Sequence, residues 1–130
     1  VITVTLPWPP AALNPNAAKR LHWGKRATLA KRYKRDCGWA CAAAGVRSLA
    51  TSRPLLIGLT FHAPNRQRRD IDNMLASIKA GLDALSTALG VDDSLFDITL
   101  SRGNPVAGGS VVVRVSDVQS STLPDSPSVS

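Results

Sequence analysis

LLIGLTFHAPNRQRRDIDNMLASIKAGLDALSTALG, residues 55–90, carries two hydrophobic periods in one run. Its first eight residues set Leu55, Ile57, Leu59 and Phe61 against Leu56, Gly58, Thr60 and His62. That alternation marks a strand with one buried face. From residue 72 to residue 89, Leu75, Ile78, Leu82, Leu85 and Leu89 fall at helical spacing instead, and Gly90 follows where a left-handed cap belongs. The polar APNRQRR between them reads as a loop, so a strand feeds a helix that must bury its apolar stripe on a sheet.

The flanks supply the remaining elements. VITVTL alternates Ile2, Val4 and Leu6 with two threonines, and the prolines of PWPP end that strand. Residues 11–26 hold Asn14, Pro15, Asn16 and Gly24 without a clear period, which predicts a loop or an extended arm. Over residues 28–44 a helix is expected, with Leu29, Tyr33, Cys37, Ala40, Cys41 and Ala44 inward, Lys31, Arg32, Lys34 and Arg35 outward, and Gly45 as its stop. DDSLFDITLS alternates Phe96, Ile98 and Leu100, and VVVRV follows across the PVAGG turn as if in a hairpin. The order β-α-β-α-β-β predicts an α+β domain over residues 1–118, with two helices packed on a mixed or mostly antiparallel four-stranded sheet. Residues 119–130, rich in Ser and Pro, bury too little to offset ordering entropy and are expected to be a flexible tail.

With 130 residues the chain can build one core without disulfides. Sixteen Lys and Arg against nine acids, all of them Asp, give a net charge of +7, which favours polyanionic partners: nucleic acid first, an anionic membrane second. No run approaches the length of a membrane span and the N-terminus lacks the order of a signal peptide, so a cytoplasmic protein is the expectation. Cys37 and Cys41 share a helical face and read as core packing, their spacing suiting neither a redox pair nor zinc.

Four carboxylates stand around the second helix: Asp70 and Asp72 before it, Asp92 and Asp93 after it. Asp is a favoured helix cap, which accounts for one of them. Four exceed that need in an acid-poor chain and suit a hard cation such as Mg²⁺, which takes carboxylate oxygens together with substrate phosphates. Such a site hydrolyses phosphodiesters, the metal offsetting charge while the neighbouring arginines hold adjoining phosphates. Lys79 lies seven residues after Asp72, two ideal helical turns, and so is expected on the same side.

At these residues the sequence resembles the RusA family of Holliday junction resolvases, small phage-associated endonucleases. LPWPP at 6–10, RRDIDNML at 68–75, and LDAL at 82–85 leading to GVDDSLF at 90–96 carry the resemblance, in order and spacing, over about residues 2–115. It implies a homodimer of bacterial or phage origin. It further implies dependence on Mg²⁺, for which Mn²⁺ can substitute, and symmetric paired nicks in four-way junctions during DNA recombination and repair. The metal ligands it implies are Asp70, Asp72 and Asp93, with Asp92 a helper. Its helix lysine, four residues after the second Asp of DxDN, falls here on Ala76; Lys79, after an insertion of nearly one turn, stands in for it as the fourth catalytic residue.

Eight of the sixteen cations fall between residues 19 and 35 with no acid among them. Lys19, Arg20, Lys25 and Arg26 from that run, with Arg66, Arg68 and Arg69 beside the aspartates, form the expected DNA contact. His22 and Trp23 suit base stacking or anchoring of the loop, His62 is expected to face the site from its strand end, and Trp39 to pack. Two alternatives remain: a non-catalytic nucleic-acid-binding module, and a metal-dependent nuclease or phosphatase with another substrate.

Overall fold

A computed structural model describes residues 2–15, 23–49 and 51–117. Four strands, β1 (Ile2–Pro7), β2 (Leu55–His62), β3 (Phe96–Arg102) and β4 (Ser110–Asp117), form one sheet. Three described helices, α1 (Trp23–Ala43), α2 (Ile71–Ser77) and α3 (Lys79–Leu89), accompany them, with short 3-10 turns at Ala11–Leu13 and Asp93–Leu95. The domain is α+β, its helices packed against a mixed sheet.

Strand order is β1-β4-β2-β3, with β4 antiparallel to both neighbours and β2 parallel to β3. The expected hairpin between the last two strands is therefore absent. Residues 103–109 instead step across the end of β2, held by Gly103 N–H to Phe61 O and Val106 N–H to Ala63 O, both 3.0 Å. Burial gives the reason: Val111, Val113 and Val115 are at most 2% exposed and need a central strand, whereas Ile98 on β3 tolerates the edge at 38% exposure. Ile2, Val115, Ile57 and Ile98 form one cross-strand row, and Val4, Val113, Leu59 and Leu100 the next; all but the exposed Ile98 pack in or against the core.

α1 begins at Trp23, so part of the expected arm over residues 11–26 is helix, which moves Lys25 and Arg26 onto it. Tyr33, Cys37 and Cys41 are its buried side chains, as the spacing predicts, while Ala44 is exposed. Trp39, expected to pack, is 70% exposed. Gly45 has φ 77°, and Gly45 N–H to Ala42 O with Val46 N–H to Cys41 O closes the helix in a Schellman motif. Gly90, at φ 64°, closes α3 in the same way, with Val91 buried against the core.

The expected single helix over 72–89 is two helices, divided at Ile78 with φ −92° and ψ 2°. Ser77 donates its hydroxyl to Asn73 O at 2.8 Å, a back-bond four residues away of the kind that bends helices. The apolar pattern hides the break because Ile78 stays fully buried through it. Where α3 crosses α1, Gly81 lets the helices approach: a Cβ there would lie 3.2 Å from Cys37 Sγ and 3.3 Å from the Tyr33 ring. Burial pushes the Tyr33 phenol well above its ordinary range and the Cys37 thiol up to about 12. Both groups are neutral packing at physiological pH.

Candidate functional site

β1, β2 and β3 point the same way, and the segments leaving their C-terminal ends converge: residues 8–14, 63–70 and 103–109. In sheets with parallel strands that end is where ligands bind. Two clefts lie there, of about 540 and 500 Å³. Trp8, Pro9, Pro10, Asn14, Asn73 and Ser77 line the first; Phe61, Asn65, Arg66, Arg102, Gly103 and Pro105 line the second. Gln67, Arg68, Arg69, Asp70 and Met74 line both, so the end of the 63–70 loop is a ridge between them.

The ridge is held from inside. Phe61 meets Trp8 edge to face at 6.3 Å and 86°, and the Arg69 guanidinium lies over the Trp8 ring, 5.6 Å from its centre. Arg69 Nη1 donates to Asn65 Oδ1 and Gln67 O, both at 3.0 Å. Asn65 Oδ1 also accepts from Gln67 N–H, and Arg102 Nη2 donates to Arg69 O at 3.1 Å. Gly109, at φ 74°, completes the seat of Trp8: a Cβ there would sit 2.9 Å from Trp8 Cβ and Cγ. Arg69, expected as a phosphate contact, thus spends Nη1 on loop architecture.

Asp70 occupies the N-cap position of α2, with φ −77° and ψ 135°, yet its carboxylate makes no capping hydrogen bond. It is exposed, and among the described residues it is the acidic side chain lining the two clefts. Asp72 is exposed in the first turn of α2 and Asp93 at the first residue of the second 3-10 turn, and neither lines a cleft. Asp92 serves as an ordinary cap, accepting from Ser94 N–H at 2.9 Å. Hydrogen bonds from Ser94, its backbone N–H first, hold the Asp92 carboxyl below the usual range. Among the described residues no three His, Cys, Asp or Glu side chains are gathered as a metal site. The chemistry of the donor set nevertheless fits a hard cation, since Asp70, Asp72 and Asp93 are exposed carboxylates in a basic setting.

Lys79 is exposed at the start of α3, beyond the break at Ile78, so the two-turn helical geometry that relates it to Asp72 does not run through. Ala76 is exposed on α2. Arg66 and Arg68 are exposed on the ridge side of the clefts. Lys25 and Arg26 are exposed on α1, where no side chain is buried before Tyr33, whose hydroxyl donates to Pro7 O at 2.6 Å. Lys19, Arg20, His22 and the tail over 119–130 lie outside the described residues. Trp23 is 78% exposed at the start of α1.

His62 is not a cleft residue: its ring packs on Gly103 and its Nδ1 pairs with Asn104 O at 2.8 Å, fixing the crossing segment. Sequence reasoning missed Arg102, Asn65, Gln67 and Asn73. Arg102 was marked only as a cation at the C-terminal end of a strand, and the three amides only by their closeness to the aspartates.

No helix of the described residues is long and apolar enough to cross a membrane. No family model matches the chain. A protein of Xylella fastidiosa, described only as uncharacterized, is similar: 38% identical over 101 residues, which cover 72% of this chain and 61% of that protein. The chain thus spans about three-fifths of the length of that relative.

Proposed function

We propose that the chain is a Mg²⁺-dependent endodeoxyribonuclease that resolves four-way DNA junctions by paired nicks, acting as a homodimer in recombination and repair. The observation that carries the reading is Asp70: a carboxylate at a cap position that does no capping, set on a ridge between two clefts, the second of which Arg66, Arg68 and Arg102 also line. The motif resemblance assigns the rest. Asp70, Asp72 and Asp93 would hold the cation, which when bound supplies Lewis-acid stabilisation of charge at the attacked phosphodiester. Arg66, Arg68 and Arg102 hold adjoining phosphates, and Arg69 keeps the ridge in shape for them. Lys79 adds positive charge for the phosphate or the leaving oxygen.

A non-catalytic nucleic-acid-binding module is the second reading. It draws on the same arginines and on the lack of gathered carboxylates among the described residues. One experiment separates the two: the protein and Asp72→Asn are each incubated with Mg²⁺ and a synthetic four-way junction, a linear duplex or a single strand. The nuclease reading expects symmetric nicks in the junction alone, lost with EDTA and in the variant. Undiminished cleavage by Asp72→Asn sinks the ligand assignment, and salt-sensitive binding without nicks favours the module.

A further inference from the structure

α1 carries six Lys or Arg and one Asp, five of the chain's seven net positive charges. Its inner face is spent on the core, where Tyr33, Cys37 and Cys41 are at most 3% exposed. On the opposite side Lys25, Thr28, Arg32, Arg35 and Trp39 are all exposed, and their spacing of three or four residues aligns them in one stripe. From Lys25 to Trp39 the stripe runs about 21 Å at the rise of an α-helix. The Asp36 carboxylate meets Arg35 Nε at 3.8 Å, an exposed contact too weak to withhold that guanidinium from a phosphate. Trp39, 70% exposed, sits one turn beyond Arg35 and two beyond Arg32. None of these side chains lines the clefts.

We infer that this stripe is a second nucleic-acid contact: a rail for the phosphates of a duplex arm flanking the cut, with Trp39 packing on the sugar edges. The inference rests on the nucleic-acid reading of the clefts for its substrate, and extends the expected contact at Lys25 along α1 to Arg32, Arg35 and Trp39, away from the clefts. Charge complementarity selects the occupant. A membrane-bound amphipathic helix inserts its apolar face, and here that face is already buried in the protein. A duplex needs exposed cations along its phosphate backbone, and the outer side of α1 presents Lys25, Arg32 and Arg35.

The test measures binding of a fluorescent duplex and a long-armed four-way junction between 50 and 200 mM salt, with cleavage of the junction by the same samples. Arg32→Ala combined with Arg35→Ala is expected to melt like the parent chain, to bind on the order of tenfold more weakly at low salt, and to lower the log–log salt slope by about 1.8. Trp39→Ala is expected to weaken binding and leave the slope unchanged, because an apolar contact releases no counterions. Unchanged affinity and slope in the double variant overturn the inference, as does a parent chain that binds no duplex. Loss of binding to vesicles of anionic phospholipid, with duplex binding intact, overturns it in favour of a membrane contact. A slope change in the double variant when the parent makes no nicks leaves α1 as a nucleic-acid surface and removes the nuclease reading. Normal nicking by both with equal slopes removes the rail alone.

Discussion

Asp70 and Asp92 occupy the same backbone position, the residue before a helical turn, with nearly the same extended conformation: φ −77° and ψ 135° against φ −61° and ψ 137°. Asp92 caps its turn through Ser94 N–H, and the hydrogen bonds lower its pKa. Asp70 caps nothing and stands between two clefts. A cap residue whose side chain is left over is available for a ligand; one whose side chain is spent is architecture. Arg68 and Arg69 repeat the contrast one step upstream, the first exposed on the ridge and the second bound to Trp8, Asn65 and Gln67.

The largest expected effect breaks the aspartate pair apart. Asp70→Asn should lower Mg²⁺-dependent junction cleavage by more than about a hundredfold, since even outer-shell partners of a metal are worth ten- to a hundredfold. Its melting temperature should stay near that of the parent chain. Asp92→Ala should do the reverse, lowering the melting temperature while junction cleavage stays within a few fold. Equal losses of activity in both variants, measured at one salt concentration, would erase the distinction.

The arginine pair sharpens the same contrast at smaller scale. Arg68→Ala should reduce the salt slope of DNA binding by about one and leave melting unchanged. Arg69→Ala should lower the melting temperature and raise the protease sensitivity of the 63–70 loop, because its bonds are internal. A salt slope that changes only in the Arg69 variant would reverse the assignment.

Spent groups in the core give a pH signature. Cys37 is held near 12 by burial against an ordinary value of 9.0, and Tyr33 is shifted in the same direction. The unfolded chain therefore loses these protons first. Stability is full below about pH 9, the unfolded value of Cys37, and is lost as pH rises toward 12, which denaturant midpoints at pH 8, 9.5 and 11 would trace. Tyr33→Phe, which removes the donor to Pro7 O, should cost about 1–2 kcal/mol at pH 7.

Much of this was legible in the residues, and the limits have physical causes. Alternation placed β1, β2 and β4 because each buries one face, and β3 because Phe96 and Leu100 are half-buried against the core, while Gly45 and Gly90 marked helix ends because those positions need positive φ. The insertion of β4 between β1 and β2 was not legible, because pairing across 48 residues or more leaves no local periodicity. Nor was the break at Ile78, where an unbroken apolar pattern covers a backbone bend. At the site, Asp70 stood out by charge and spacing. The role of Arg69 did not, because a cation beside carboxylates reads alike whether it holds phosphate or a neighbouring loop.

The most direct test of the central claim, that the unspent carboxylate of Asp70 is a metal ligand, is a Mg²⁺ titration followed by NMR at the aspartate carboxyl carbons. The account expects the Asp70 signal to move saturably, the Asp92 signal to hold, and the response to vanish in Asp70→Asn. Saturable binding that leaves Asp70 unmoved, or that survives in Asp70→Asn, would contradict it.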